Sequence, residues 1–153
     1  MGIEIERKFL ISQNTWRELG VPVSYKQGYL VSDGQRTVRV RVAGDQGFLT
    51  IKGPTSGVSR SEYEYEIPVD EANELFLLCP LPIIEKFRTE VVYDGKVWEV
   101  DEFSGLNQGL LIAEIELTSE DEFFALPPWI GLEVTGDRRY YNSQLALNPY
   151  SNW

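Results

Sequence analysis

Glu4, Glu6 and Lys8 recur at every second position near the start of the chain. On an extended strand this spacing puts two carboxylates and an ammonium on one face, with Ile3, Ile5, Arg7 and Phe9 on the other. The alternation returns downstream. Arg39 and Arg41 share a face with Thr37, opposite Val38, Val40 and Val42. Glu62 and Glu64 alternate with Tyr63 and Tyr65, and Glu114 and Glu116 with Ala113, Ile115 and Leu117. Lys52, the pair Lys86 and Arg88, and Asp101 complete the set. Carboxylates in such an array can hold hard divalent cations, while Arg and Lys can grip phosphate oxygens directly. Taken one strand at a time, each pair also reads as an ordinary solvated face. The sorting into like-signed pairs favours a site, because a surface selected for solubility mixes signs.

The charges also suit one ligand class. These positions comprise seven acids and six bases, a net −1. Two divalent cations would bring that to +3, against roughly −4 to −5 for a chain of three phosphates. The whole chain carries −10 and the array −1, so the remainder carries −9. Anion-attracting charge would then sit inside an acidic protein. If the sheet closes, the apolar faces are needed outside and the charged face becomes the lining. Each charge there must meet an opposite charge, a metal or a ligand.

Composition narrows the alternatives. With 153 residues and a 42% apolar fraction, one folded domain over 1–153 is expected. The acidic balance, 24 Asp and Glu against 14 Lys and Arg, disfavours nucleic acid and anionic membranes as partners. The absence of histidine removes His-based acid–base catalysis and the usual zinc sites, and leaves oxygen-liganded cations. The single cysteine, Cys79, cannot form an internal disulfide, which fits a cytoplasmic location. No apolar run is long enough to span a membrane as a helix.

The elements that must position these residues are mostly strands. Alternation predicts strands over 3–11, 25–31, 36–42, 48–52, 58–68, 83–93, 96–103 and 110–117. Asp33-Gly34 and Asp94-Gly95 read as hairpin turns. Short helices are expected after Ser12, after Asp70 and over the tail at 137–147, and Ser119 to Glu122 reads as a capping box for another. The Gly-rich stretch 53–57 lacks a following Gly-Lys-Ser/Thr and reads as a plain turn. The fold class expected is mainly β within α+β: an eight-stranded antiparallel closed barrel, or tunnel, with a few short flanking helices.

Glu4-Ile5-Glu6-Arg7-Lys8 matches the ExExK signature, and the chain resembles a CYTH domain of the triphosphate tunnel metalloenzyme family. The resemblance extends through Val38-Arg39-Val40-Arg41, Thr50-Ile51-Lys52-Gly53, Glu62-Tyr63-Glu64, Glu85-Lys86-Phe87-Arg88, Val100-Asp101 and Ala113-Glu114-Ile115-Glu116-Leu117. It ends in Gly131-Leu132-Glu133-Val134-Thr135 with Arg139-Tyr140 and Asn142. It implies a tunnel that binds triphosphate compounds with Mg²⁺ or Mn²⁺, two ions per tunnel. By resemblance, Glu4, Glu6 and Glu116 hold the first metal, with Glu114 and Asp101 nearby. Lys8, Arg39, Arg41, Lys52, Lys86 and Arg88 grip the phosphates. Glu62 or Glu64 places a second metal or orients the attacking water, and Lys8 counts with them as catalytic. Tyr29 is either part of a lid at the tunnel mouth or a core aromatic. Arg139 adds positive charge near the entrance, or packs with Tyr140. Relatives also suggest a homodimer.

Within this resemblance the leading activity is hydrolysis of inorganic tripolyphosphate to pyrophosphate and phosphate. Thiamine triphosphatase and nucleoside triphosphatase are alternatives. Class IV adenylyl cyclases carry a His-Phe element ahead of ExExK, and a chain without histidine departs from them. A non-catalytic polyphosphate-binding module would not need the acids.

Overall fold

The computed structural model describes residues 2–153. Its strands are β1 (Ile3–Ile11), β2 (Val23–Ser32), β3 (Thr37–Ala43), β4 (Gln46–Lys52), β5 (Ser59–Ile67), β6 (Ile84–Tyr93), β7 (Lys96–Phe103), β8 (Leu111–Glu116) and β9 (Ile130–Glu133). Two α-helices, α1 (Val69–Phe76) and α2 (Asn142–Leu147), and short 3₁₀ turns make up the other regular structure.

The first eight strands close into an antiparallel barrel in the order β1-β5-β4-β3-β2-β6-β7-β8, returning to β1. β1 makes closure possible by dividing its pairing. Along one edge, Glu6 to Leu10 pair with β8. On the other edge, Ile3 to Ile5 meet β5, and Phe9 to Ile11 meet the added strand β9. Hairpin turns set the registers. At Asp94-Gly95 both residues have positive φ, 51° and 77°, as a two-residue type I′ turn requires. That locks Tyr93 opposite Lys96, which in turn places Arg88 opposite Asp101.

Apolar side chains that alternate with the charged ones pack outside the barrel wall. One cluster joins Phe9, Trp16, Val91, Trp98, Val100, Ala113, Ile115, Leu117 and Trp129. Trp98 lies at its centre, fully buried, edge-on to Phe9, Phe124 and Trp129. Trp98→Ala is expected to cost about 3–5 kcal/mol, read as a lower denaturant midpoint. The second cluster lies on the inward face: Tyr29, Ile84, Phe103 and Ile112, two positions along their strands from Gln27, Lys86, Asp101 and Glu114, pack against Tyr140, Leu145 and Ala146 of the tail. The tail helix is thereby fixed against the barrel.

Several local expectations are corrected. The segment after Ser12 forms only a 3₁₀ turn, Thr15–Glu18, with Asn14 at its N-cap position. Helix α1 starts at Val69 after Pro68, so Asp70 lies in its first turn and does not cap it. Cys79 lies beyond its end. Ser119 to Glu122 form a turn, not a helix: the Glu122 carboxylate accepts from the Thr118 backbone N–H and hydroxyl and pairs with Lys96. Strand β9 is too short, and its Gly131 too atypical, to register as a periodic run. Among the described residues no helix is long and apolar enough to cross a membrane.

Candidate functional site

Inward-facing side chains surround a cavity of about 240 Å³. That is below the roughly 300–1,000 Å³ of pockets that enclose drug-sized ligands, and it suits a compact polyanion. Glu4, Glu6, Lys8, Tyr29, Arg39, Arg41, Lys52, Glu62, Glu64, Lys86, Arg88, Glu114 and Glu116 all line it. Of the residues singled out in the sequence, the fold leaves two off this wall. Asp101 faces inward but lies beneath Lys86 and Arg88, fully buried. Arg139 lies on the exposed surface, paired with Asp137 at 2.8 Å and stacked over Tyr140 and Trp153.

Strand register explains the grouping. Glu6 is opposite Glu116 and Lys8 opposite Glu114 across β1 and β8. Lys52 is opposite Glu62 across β4 and β5. Lys52 Nζ donates to both Glu4 oxygens at 2.9 and 3.0 Å and lies 3.5 Å from Glu62. Arg39 reaches Thr50 Oγ1 at 3.1 Å and Glu64 at 3.4 Å, and Thr50 in turn donates to Glu64 at 3.0 Å. Lys8 sits 3.6 Å from Glu114, donates to the Tyr140 carbonyl at 3.4 Å and faces the Tyr141 ring.

Asp101 anchors the cationic wall. Its two oxygens accept from Arg88 at 2.8 and 2.9 Å and from Lys86 at 2.7 Å. Lys86 also donates to Asn142 Oδ1 at 3.0 Å, and Arg88 to Glu99 at 3.2 Å. Burial pushes Lys86 down to about 7; Asp101 opposes the shift, and Arg88 and Arg41 reinforce it. Burial likewise pushes Arg41 down to about 10, aided by Arg39 and Arg88. Among the described residues buried Arg39 Nε has no hydrogen-bond partner, so the lining holds donor capacity in excess.

The acids show the opposite imbalance. Burial, then the neighbouring Glu114 and Glu4, push Glu6 up to about 8. Burial with Glu4 and Glu62 raises Glu116, and burial with Glu4 raises Glu62. Burial would raise Glu114 too, but Lys8, Arg88 and Lys86 hold it well below the usual carboxylate range. Burial opposes ionisation of Glu4, and Lys52 outweighs it. Like charges on directly opposed positions repel. Among the described residues no three acidic, His or Cys side chains already converge as a metal nest. Even so, an all-oxygen donor set whose members raise one another's proton affinity fits a hard divalent cation.

Other lining residues were not singled out in the sequence. Glu99 and Arg60 follow from the same alternation, one between outward Trp98 and Val100, the other two positions before Glu62. Gln27 lies beneath the lining and carries no charge to signal it, yet it is fully buried and binds Arg41 of the lining. Ser143, and Asn142, which the sequence offered only within the tail motif, arrive from the tail helix α2.

The sequence model of the CYTH domain matches residues 2–142. An inorganic triphosphatase of Acetivibrio thermocellus is 55% identical, over 100% of this chain and 99% of its own. An inorganic triphosphatase of Nitrosomonas europaea is 40% identical, over 95% of this chain and 97% of its own. A crystal structure of an inorganic triphosphatase superimposes with a TM-score of 0.68 at 38% identity, covering 94% of each chain. The closed barrel, its charged interior and these matches lead to one assignment: the chain belongs to the CYTH domain family.

Proposed function

We propose that the chain hydrolyses an inorganic triphosphate to pyrophosphate and phosphate inside the barrel. The observation that carries this is the lining itself, with seven Lys and Arg side chains and seven glutamates around one cavity of about 240 Å³. Support comes from relatives at 55% and 40% identity that are inorganic triphosphatases.

Hydrolysis breaks one P–O anhydride bond as a water oxygen bonds to the attacked phosphorus, and pyrophosphate leaves with the bridging oxygen. Positioning and charge stabilisation supply most of the catalysis in such reactions. Lys8, Arg39, Arg41, Lys52, Lys86 and Arg88 bind and align the phosphates. Arg groups suit bidentate contacts and Lys groups act as point charges. Glu4, Glu6 and Glu116, with Glu114 beside them, would hold Mg²⁺ or Mn²⁺, whose Lewis acidity offsets phosphate charge. Of the two water-orienting candidates, Glu62 is the better placed to accept a proton. Burial and Glu4 raise its affinity for one, whereas Glu64 is engaged by Arg39 and Thr50. A polyphosphate-binding module would need only the cations, and would gain nothing from opposing Glu6 to Glu116.

The substrate is tested by phosphate release from tripolyphosphate, thiamine triphosphate and ATP, with cyclic AMP assayed alongside. Tripolyphosphate is expected to give the highest kcat/KM and no cyclic AMP to form. Preference for an organic triphosphate would redirect the assignment to the mouth of the tunnel.

A further inference from the structure

Five of the seven lining cations already face a carboxylate: Lys8 meets Glu114, Arg39 meets Glu64, Lys52 meets Glu4 and Glu62, and Lys86 and Arg88 share Asp101. Arg60 instead gives its guanidinium to the Gly53 carbonyl, at 3.1 and 2.8 Å, and the remaining exception is Arg41. Among the described residues it forms no ion pair. Its partner is neutral: Gln27 Oε1 accepts from Arg41 Nε at 3.1 Å and from its terminal nitrogen at 2.9 Å. The two residues face each other across β2 and β3.

Gln27 is fully buried, and its orientation is fixed from both ends. Its Nε2 donates to the Tyr29 hydroxyl at 2.9 Å, which leaves only Oε1 for the guanidinium. The Tyr25 ring lies 5.0 Å from the Arg41 guanidinium carbon and 4.9 Å from that of Arg88, so it separates two like charges. An arginine has five N–H donors, and this contact uses only one edge of the fork. Outward-facing Gly28 lets the strand carry both inward side chains close under the segment that follows α1: a Cβ there would meet Cys79 Sγ and Ile83 Cδ1 at 2.7 Å.

We propose that Gln27 is a positioning residue that holds Arg41 for the polyphosphate anion, and that its neutrality keeps the Arg41 charge available to that anion. A carboxylate in its place would orient Arg41 equally well, but the phosphate would then have to displace an ion pair. A neutral acceptor fixes the geometry without that competition. The role deepens the triphosphatase reading and rests on it for the identity of the ligand.

The test compares Gln27→Glu, of equal size but charged, and Gln27→Met, of similar length with no strong acceptor, each alone and on an Arg41→Ala background. Calorimetric binding of tripolyphosphate in EDTA is measured beside KM and kcat with Mg²⁺. Gln27→Glu is expected to weaken binding and raise KM by about tenfold, the weight of one charge-assisted hydrogen bond, with kcat changed far less. On the Arg41→Ala background it should change neither. Unchanged binding in Gln27→Glu, or an equal loss with Arg41 absent, overturns the proposal. If Gln27→Glu does not fold, unchanged binding in Gln27→Met overturns it. A wild-type chain that binds tripolyphosphate without hydrolysing it overturns the triphosphatase reading but leaves the role of Gln27 standing.

Discussion

Glu6→Gln is expected to cut tripolyphosphate turnover by about 10²–10³-fold while the barrel stays folded. The exchange preserves shape and removes one charge from the acidic wall where Glu6 opposes Glu116. Folding should tolerate it because the half-buried carboxyl already favours its proton, with its pKa pushed up to about 8. A carboxylic acid whose folded pKa exceeds its unfolded value gives its full stability below the unfolded value, and loses it as pH rises through the folded one. The metal-free wild type should therefore lose stability between about pH 4.5 and 8 through this group, and Glu6→Gln should not. Denaturant midpoints across that window measure the difference. Added Mg²⁺ should raise the wild-type midpoint at pH 8, and raise that of Glu6→Gln much less. Turnover close to wild type in the variant would remove Glu6 from the metal site.

Asp101→Asn should be the most damaging conservative exchange for stability, at about 3–5 kcal/mol. Asp101 is fully buried and its two oxygens hold Arg88 and Lys86. Asparagine would present one carbonyl and an amide donor to two cations. Lys86 has a pKa of about 7 even with Asp101 beside it, because burial and two arginines press it down. Without the carboxylate it should give up its proton at lower pH still. Urea denaturation of the metal-free variant measures the loss. An unchanged midpoint would mean that the cationic wall stands without its anchor. On this account Asp101 keeps the phosphate-binding cations in place, and its oxygens are not free for a metal.

Much of this was legible in the sequence because the barrel lining obeys a period of two. The alternations around Glu4, Arg39, Glu62, Lys86 and Glu114 mark which face points inward, and the Asp94-Gly95 turn marks where a strand reverses. What stayed hidden depends on contacts between distant segments. The pattern places Asp101 inward, but only the register opposite Arg88 shows both of its oxygens taken. Arg139 is basic and near the mouth in sequence order, yet Asp137, two residues away, turns its side chain along the surface. Gln27 offered no charge to read, although its neutrality is what leaves Arg41 held without an ion pair. Strand β9 exists because β1 has a free edge beyond Ile5, a fact of barrel closure that four residues cannot announce.

The central claim is that acids and bases of one lining act together, through a divalent cation, on a triphosphate. Phosphate release from tripolyphosphate, followed with Mg²⁺ and then with excess EDTA, tests it most directly. The account predicts steady release with Mg²⁺ that stops on chelation and returns when Mg²⁺ is restored. Release that continues unchanged in EDTA, or no release under any metal, would contradict it.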